Sequence, residues 1–592
     1  MNRKARRAAR NEKHPAGAAL GRTPEPSAAV QATAALGKRL AQQGDFSGAL
    51  AAMDEALRAE PNNVQLHMWR GRALNSLWRL DEALRAFDQA LRLGGPDATD
   101  PHLVNARLGV AIAHLRLVYG SEKDLLESRL RFEQALDRAC AHYANASAPE
   151  LAGAAQALTA QTPFLLPFQG QEDRALMAKY GGLVHRLMSA GLPQWSSPRA
   201  MPALAPGERI RVGFASAHFK LHSVWKVPLS GWIRQLDRSK FEVFGYSLGA
   251  THDAITEEAT RLCDRMVAGP MSLPAWAKQI AGDNLHVLVY PEIGMDRSTV
   301  QLAALRLAPI QCDSLAHPST TGLPTIDFVL SGARLDSPEG QEHYTETLVR
   351  LPNFGAYYEP MGSPPVIGSQ RGLERDRKHF GLAEEGTLYW AGHQLATFLP
   401  QHDDIYARIA ERVPGCRLVF IETRSASATA TFRDRMERAF AARGLPFSSR
   451  GVILPMMQPA EFAAVTHLMD VGLDTIGWSG CNTTLETLAC DVPVVTSPGS
   501  STRARHASAF LTMMGVTETI AKTSDDYVEI AVRLGHDAAW RRTISEKIAI
   551  TKPRCYRDRE CVTALEEFLE RGVVERARQR PARCFRACRP FS

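Results

Sequence analysis

Leu473-Asp474-Thr475-Ile476-Gly477-Trp478-Ser479-Gly480-Cys481-Asn482-Thr483-Thr484-Leu485-Glu486 decides the fold. The run Val471-Gly472-Leu473-Asp474 reads as a strand, a glycine-containing loop follows, and a helix begins near Asn482. Strand, loop and helix in that order form the unit of a parallel α/β sheet, whose ligands sit beyond the carboxyl ends of the strands. Asn or Thr at the helix start can cap it. The free N–H groups of Asn482, Thr483 and Thr484, with the positive end of the helix dipole, suit a diphosphate. Glu486 lies about one turn on and can accept hydrogen bonds from ribose hydroxyls. Local chemistry alone is met equally by a capped helix that binds nothing.

Working outward, the same unit recurs. Leu388-Tyr389-Trp390, residues 417–421, Val452-Ile453-Leu454 and residues 492–496 read as strands around the quoted one. Residues 209–216, 241–246, 286–290 and 328–330 form an earlier set, with helical patterns near 230–236 and 273–280. The alternation breaks at 364–376. Two successive doubly wound sheets suggest two lobes facing a cleft, the arrangement that a two-lobe glycosyltransferase uses. Past residues 493–499, Arg503, Arg505 and His506 follow, and an arginine there can share phosphate charge through bidentate contacts. In the first lobe, His218 and His222 fall just past a strand end, where an imidazole titrating near neutrality suits general base work. His317, in the loop 315–322, is placed to touch a sugar hydroxyl or to shape the turn.

Upstream, the chain repeats itself. Gly37, Ala49 and Ala56 recur 34 residues later as Gly71, Ala83 and Ala90, the period of tetratricopeptide repeats. Each repeat is two antiparallel helices, with Gly and Ala where they cross. A degenerate third unit runs from Leu108-Gly109 to Ala135-Leu136, lengthened by about seven residues, and further helix follows through Leu187. Such stacks present a concave surface to a protein or peptide. Homo-oligomerisation is the other use of that surface. Prolines at 193, 198, 202 and 206 mark a linker. The expected organisation is a basic disordered tail (1–30), helical repeats (31–190), a linker (191–208), a first Rossmann-like lobe (209–365), a nucleotide-sugar-binding lobe (366–570) and an Arg-rich disordered tail (571–592).

Composition narrows the class. The chain is 45% hydrophobic and 22% charged, as soluble globular proteins are. No run approaches the roughly 18 apolar residues of a membrane span, and no apolar signal segment follows the basic start. Residues 1–22 carry seven Lys/Arg against Glu12, and residues 571–592 seven Arg against Glu575, so each end is +6. The net charge of +7 therefore leaves the body at −5. Nucleic acid is not an expected partner, and the basic ends read as solvated tails. None of the ten cysteines forms a Cys-x-x-Cys pair or a zinc template. Scattered thiols point to a reducing cytoplasm.

The order of motifs resembles one family. Repeats are followed by Arg-Val-Gly-Phe-x-Ser-x-x-Phe-x-x-His (211–222), Ala-Pro-Ile-Gln (308–311) and His-Pro-x-Thr-Thr-Gly (317–322). Gln394, Leu-Asp-Thr (473–475), Asn-Thr-Thr-Leu-Glu (482–486) and Pro-Val-Val-Thr-x-Pro-Gly (493–499) complete the series. Over residues 35–570 the chain resembles the O-linked N-acetylglucosamine transferase and SPINDLY superfamily, in its bacterial branch. The resemblance implies two Rossmann-like lobes in a GT-B arrangement and an inverting, metal-independent transfer without a cofactor. The donor would be a nucleotide-diphosphate sugar of UDP or GDP type, and the acceptor a protein Ser or Thr hydroxyl. A strand-end Asp-x-Asp pair, the usual metal holder, is not evident in the sequence. By position, His222 matches the base-candidate histidine and Gln394 a nucleotide-side glutamine. Asn482, Thr483 and Thr484 match the diphosphate-binding helix start, Glu486 the ribose-binding acid and Arg505 the loop arginine. Thr397 falls where the family has a lysine that neutralises the leaving diphosphate. A hydroxyl supplies no full charge, so the alternative is a weak or inactive relative that binds partners through its repeats.

Overall fold

The computed structural model describes residues 28–95, 99–159, 162–360 and 376–578. Helices Ala28–Gln42, Phe46–Ala59, Val64–Ser76 and Leu80–Gly94 form two antiparallel pairs. Leu103–Ile112 and Glu122–Ala144 form a third, and Ala148–Ala157 and Arg174–Gly191 complete the helical region. The 34-residue spacing is explained by packing. A Cβ on Gly71 would stand 2.6 Å from the Phe87 ring, and one on Gly109 2.7 Å, so Phe87 fills the gap between consecutive repeats.

The lengthened third unit has a structural use. Its extra residues form the loop between Ile112 and Glu122, which leaves the helical stack. Val118 of this loop is buried with Phe420, Phe432 and other core residues of the distant second lobe. The Tyr119 carbonyl accepts from Arg435 Nη1 at 3.0 Å, and the same guanidinium grips both Asp403 oxygens at 2.7 and 2.8 Å.

Two all-parallel sheets follow. The first contains β1 (Ile210–Ser216), β2 (Phe241–Ser247), β3 (Arg265–Ala268), β4 (Val287–Tyr290), β5 (Ile310–Ser314), β6 (Phe328–Gly332) and β7 (Thr347–Leu351). Its spatial order is β3-β2-β1-β4-β5-β6-β7. The second contains β8 (Leu388–Ala391), β9 (Arg417–Ile421), β10 (Gly451–Leu454), β11 (Val471–Leu473) and β12 (Val494–Val495), ordered β10-β9-β8-β11-β12. The strand order reverses between β1 and β4 in one sheet and between β8 and β11 in the other. Loops leaving those strands flank the crevice where α/β sheets bind ligands.

The final helix of the repeat region lies on the first lobe. Gly322, at φ +68, closes the loop after β5, and a Cβ on Gly181 would stand 2.3 Å from the Gly322 carbonyl oxygen. Small residues on both sides permit that contact.

The domain limits need three corrections. Helix Ala28–Gln42 begins inside the segment expected to be tail, while residues 1–27 lie outside the described residues. Helix Arg559–Arg578 continues past 570, and only 579–592 of the expected Arg-rich tail lie outside the described residues. That helix also does not belong to the second lobe. Leu565, Phe568 and Leu569 are buried with Ile210, Val212 and Phe241 of the first, because an apolar stripe along the helix covers that sheet. The break expected at 364–376 falls almost wholly outside the described residues.

Candidate active site

β11 ends against Asp474, whose buried carboxylate folds the following loop onto itself. It accepts from Ser479 Oγ at 2.7 Å, Thr496 Oγ1 at 2.6 Å and Gly480 N at 2.8 Å. Burial pushes Asp474 up to about 6, and these donors oppose the rise. Ser479 then ties the loop to the next one, donating its N–H to the Arg503 carbonyl at 2.7 Å and accepting from Ala507 N at 2.8 Å. The helix Asn482–Ala489 starts at this fixed point.

No Asn or Thr caps that helix. Cys481 holds the N-cap position and no side chain bonds the first turn, so the expectation of a capping Asn or Thr is corrected. Asn482 Oδ1 and Thr484 Oγ1 are instead buried without a hydrogen-bond partner. Thr483 Oγ1 meets His393 Nδ1 at 3.0 Å, and burial lowers that imidazole to about 4, so it stays neutral. Glu486 is half-buried and raised by desolvation, with Lys226 of the opposite lobe drawing it back.

An open cleft of about 100 Å³ lies between the lobes. Ser223, Val224 and Pro318 line its first-lobe side, and Trp478, Asn482 and His506 its second-lobe side. Arg505 directly precedes His506 of that lining. One guanidinium nitrogen donates to the Gly499 carbonyl at 2.8 Å, while Nε is buried and unpartnered. Arg503 is committed elsewhere, at 3.2 Å from Asp173 of the repeat region.

His222 is half-buried and stacks on His218, ring centroids 4.1 Å apart. Burial, then Lys220, lowers its pKa, so it is neutral near pH 7. Its Nδ1 accepts from Val224 N at 3.2 Å, which places the proton of the neutral ring on Nε2. Proton abstraction at Nε2 then requires that contact to open and the tautomer to switch. Both nitrogens of His218 are buried and unpartnered.

Two expected site residues, His317 and Thr397, are buried. His317 is only 4% exposed and stacks on Phe164 of the repeat region at 5.2 Å, so its ring packs into that junction. Thr397 is 5% exposed and its hydroxyl donates to the Gln394 carbonyl at 2.8 Å, within a 3-10 turn. It is spent on closing that turn. Gln394 itself is exposed at the start of this turn. Sequence reasoning missed His393, Lys226 and Phe168, whose ring stacks on Trp478 of the cleft at 3.8 Å. His393 adjoins Gln394 and was open to discovery, whereas Lys226 and Phe168 reach the site only through tertiary packing.

Repeats, two parallel sheets and an anion-ready helix start at the second switch point define a two-lobe sugar-transferase architecture. The family model of glycosyl transferase family 41 matches residues 159–357 and 370–556, and a tetratricopeptide repeat model matches 34–101. The chain belongs to glycosyl transferase family 41. It is 28% identical over 341 residues to a probable UDP-N-acetylglucosamine–peptide N-acetylglucosaminyltransferase SPINDLY of Arabidopsis thaliana, covering 56% of this chain and 36% of that protein. The SPINDLY protein of Hordeum vulgare is 31% identical over 257 residues, 43% of this chain and 26% of its own length. The chain thus spans about a third of the length of the curated relatives it matches. The solved structure of a mutant Thermobaculum terrenum O-GlcNAc transferase is similar in fold at 23% identity, with a TM-score of 0.68 over 94% of this chain and 99% of that one. Among the described residues, no helix is long and apolar enough to cross a membrane.

Proposed function

We propose that this protein transfers a sugar, N-acetylglucosamine or similar, from a UDP- or GDP-type donor to Ser or Thr hydroxyls of proteins, with inversion. The observation carrying this reading is a pair of buried, unpartnered donors, Thr484 Oγ1 and Arg505 Nε, beside a helix start whose first residue, Asn482, lines an interlobe cleft. Buried polar atoms without partners are rare in native structures and mark a place for a ligand or water. The diphosphate would rest on the first-turn N–H groups, with Arg505 beside it and Glu486 on the ribose. His222 would take the acceptor proton. The repeats would hold the acceptor chain.

As the family resemblance implies, the helix dipole and Arg505 would meet the diphosphate charge without a metal. Chelator is then expected to leave transfer intact, and its loss with recovery on manganese would count against this. Similarity to the Thermobaculum terrenum fold over most of the chain supports a place in the bacterial branch. Eight described cysteines are free thiols, consistent with a cytoplasmic setting. The experiment that tests the reading is a screen of UDP- and GDP-sugars for hydrolysis and for transfer to protein.

A second reading, a relative that binds but transfers poorly, is favoured by Thr397. Its hydroxyl is bonded to Gln394 and brings no cation to the leaving group. Loss of one such stabiliser commonly costs about 10²–10³-fold in rate.

A further inference from the structure

The first helices of successive pairs, Ala28–Gln42, Val64–Ser76 and Leu103–Ile112, touch one another. Crowding of that kind belongs to the inside of a curved stack, so these helices line the concave face. Two cations there share one indole. Lys38 Nζ lies 5.1 Å from the Trp69 ring centroid, and the Arg72 guanidinium carbon 4.3 Å from it. Arg72 Nη1 is buried and has no hydrogen-bond partner.

The local charge is not compensated. Burial, then Arg297 of the first lobe, lowers Arg72 to about 10, and Lys38 is lowered by burial and by Arg72. Asp296, the carboxylate next to Arg297, is turned to cap its own helix, accepting from Ser298 N at 2.7 Å. Among the described residues, none of these three cations takes part in an ion pair, although the other repeat arginines Arg70, Arg79 and Arg116 do. A half-buried guanidinium facing like charge is costly, and an incoming carboxylate would relieve it through bidentate bonds.

We propose that the concave face around Trp69 binds an acidic polypeptide segment, whose carboxylates pair with Arg72, Lys38 and Arg297. This rests on the reading that the repeats hold the acceptor, and it assigns that acceptor a chemistry. A nucleic acid fits less well, because the three cations stand alone in a body whose net charge is −5.

The test uses the full chain with no nucleotide sugar present. A labelled Ser-containing peptide with a run of glutamates is compared by anisotropy with its glutamine counterpart. The glutamate peptide is expected to bind about tenfold tighter, and the difference to shrink at high salt. Arg72→Gln, and separately the half-exposed Lys38→Gln, should each lower affinity for the glutamate peptide by about threefold or more, with the glutamine peptide unaffected. Equal binding of both peptides would overturn the proposal. So would indifference to both variants, or tighter binding of an oligothymidylate than of the glutamate peptide. Binding as expected with no transfer from any donor would uphold this surface and sink the transferase reading instead.

Discussion

Phe168 of the repeat region stacks on Trp478 of the second lobe, ring centroids 3.8 Å apart and planes 12° apart. Trp478 sits in the loop between β11 and the helix Asn482–Ala489 and lines the cleft. The repeat region is therefore packed against the candidate donor site itself. Nearby, Phe164 stacks on His317 of the first lobe, and Arg503 joins Asp173. One short segment touches both lobes.

Phe168→Leu should loosen that loop. Hydrogen exchange of residues 475–486 is expected to rise and nucleotide affinity to fall severalfold, matching the loss of an aromatic pair worth about 0.5–1.5 kcal/mol. Phe168→Tyr keeps the ring and should restore both. Unchanged exchange in Phe168→Leu would show that the stack does not position the loop.

Removing the repeats should therefore not be a clean operation. Deleting residues 31–130 takes away Val118, Tyr119 and Arg129, which are built into the second lobe and its junction. Nucleotide binding, measured by calorimetry, should fall together with modification of protein acceptors. Full donor affinity in that truncation would contradict the interlocked arrangement.

Thr397→Lys should raise turnover by about tenfold and change donor affinity much less, because the missing charge matters as the diphosphate leaves. It should also lower the melting temperature, since Thr397 is buried and bonded to Gln394. Flat turnover in an otherwise active enzyme would show that another cation, such as Lys226, already fills the role.

Glu292 gives a pH-dependent stability with a definite sign. It is fully buried and its pKa is pushed up to about 8 from 4.5, chiefly by desolvation. A folded-state pKa above the unfolded one stabilises the fold fully below pH 4.5, and that contribution is lost as pH rises through about 8. Glu292→Gln, which can still accept from Ala217 N, should flatten this decline in melts taken from pH 5 to 9. A decline as steep as in the wild type would assign it to other groups.

His222 should leave a mark on the pH–rate profile. Its lowered pKa puts the acid limb of kcat/KM below pH 6.5. His222→Asn should abolish that limb and reduce kcat by about 10²–10⁴-fold. An unchanged limb would move the base to another residue.

Much of the fold was legible because buried parallel strands are apolar. β8 to β12 and four strands of the first sheet stand out as short hydrophobic runs. β5 did not, because Ile310-Gln311-Cys312-Asp313-Ser314 is wholly buried yet mostly polar. Its Gln311 is satisfied by the Leu305 and Thr325 carbonyls, both at 2.9 Å, which no local pattern announces. β3 and β7 are edge strands, half exposed, with little apolar contrast. The helix start at 482–486 was legible from its strand–loop–helix order. The burial of His317 and Thr397 was not, since both are covered by other elements: His317 stacks on Phe164, and the turn of Thr397 packs on residues 166–169 of the repeat region.

The central claim is that a nucleoside diphosphate occupies the cleft at the start of helix Asn482–Ala489. Calorimetric titration of the full chain with UDP and with GDP tests it most directly, alongside Glu486→Ala and Thr484→Val. One nucleotide should bind at a single site, and each variant should weaken it by about 1–3 kcal/mol, the cost of losing a hydrogen bond to a charged or buried group. Binding of neither nucleotide, or affinity untouched by both variants, would contradict it.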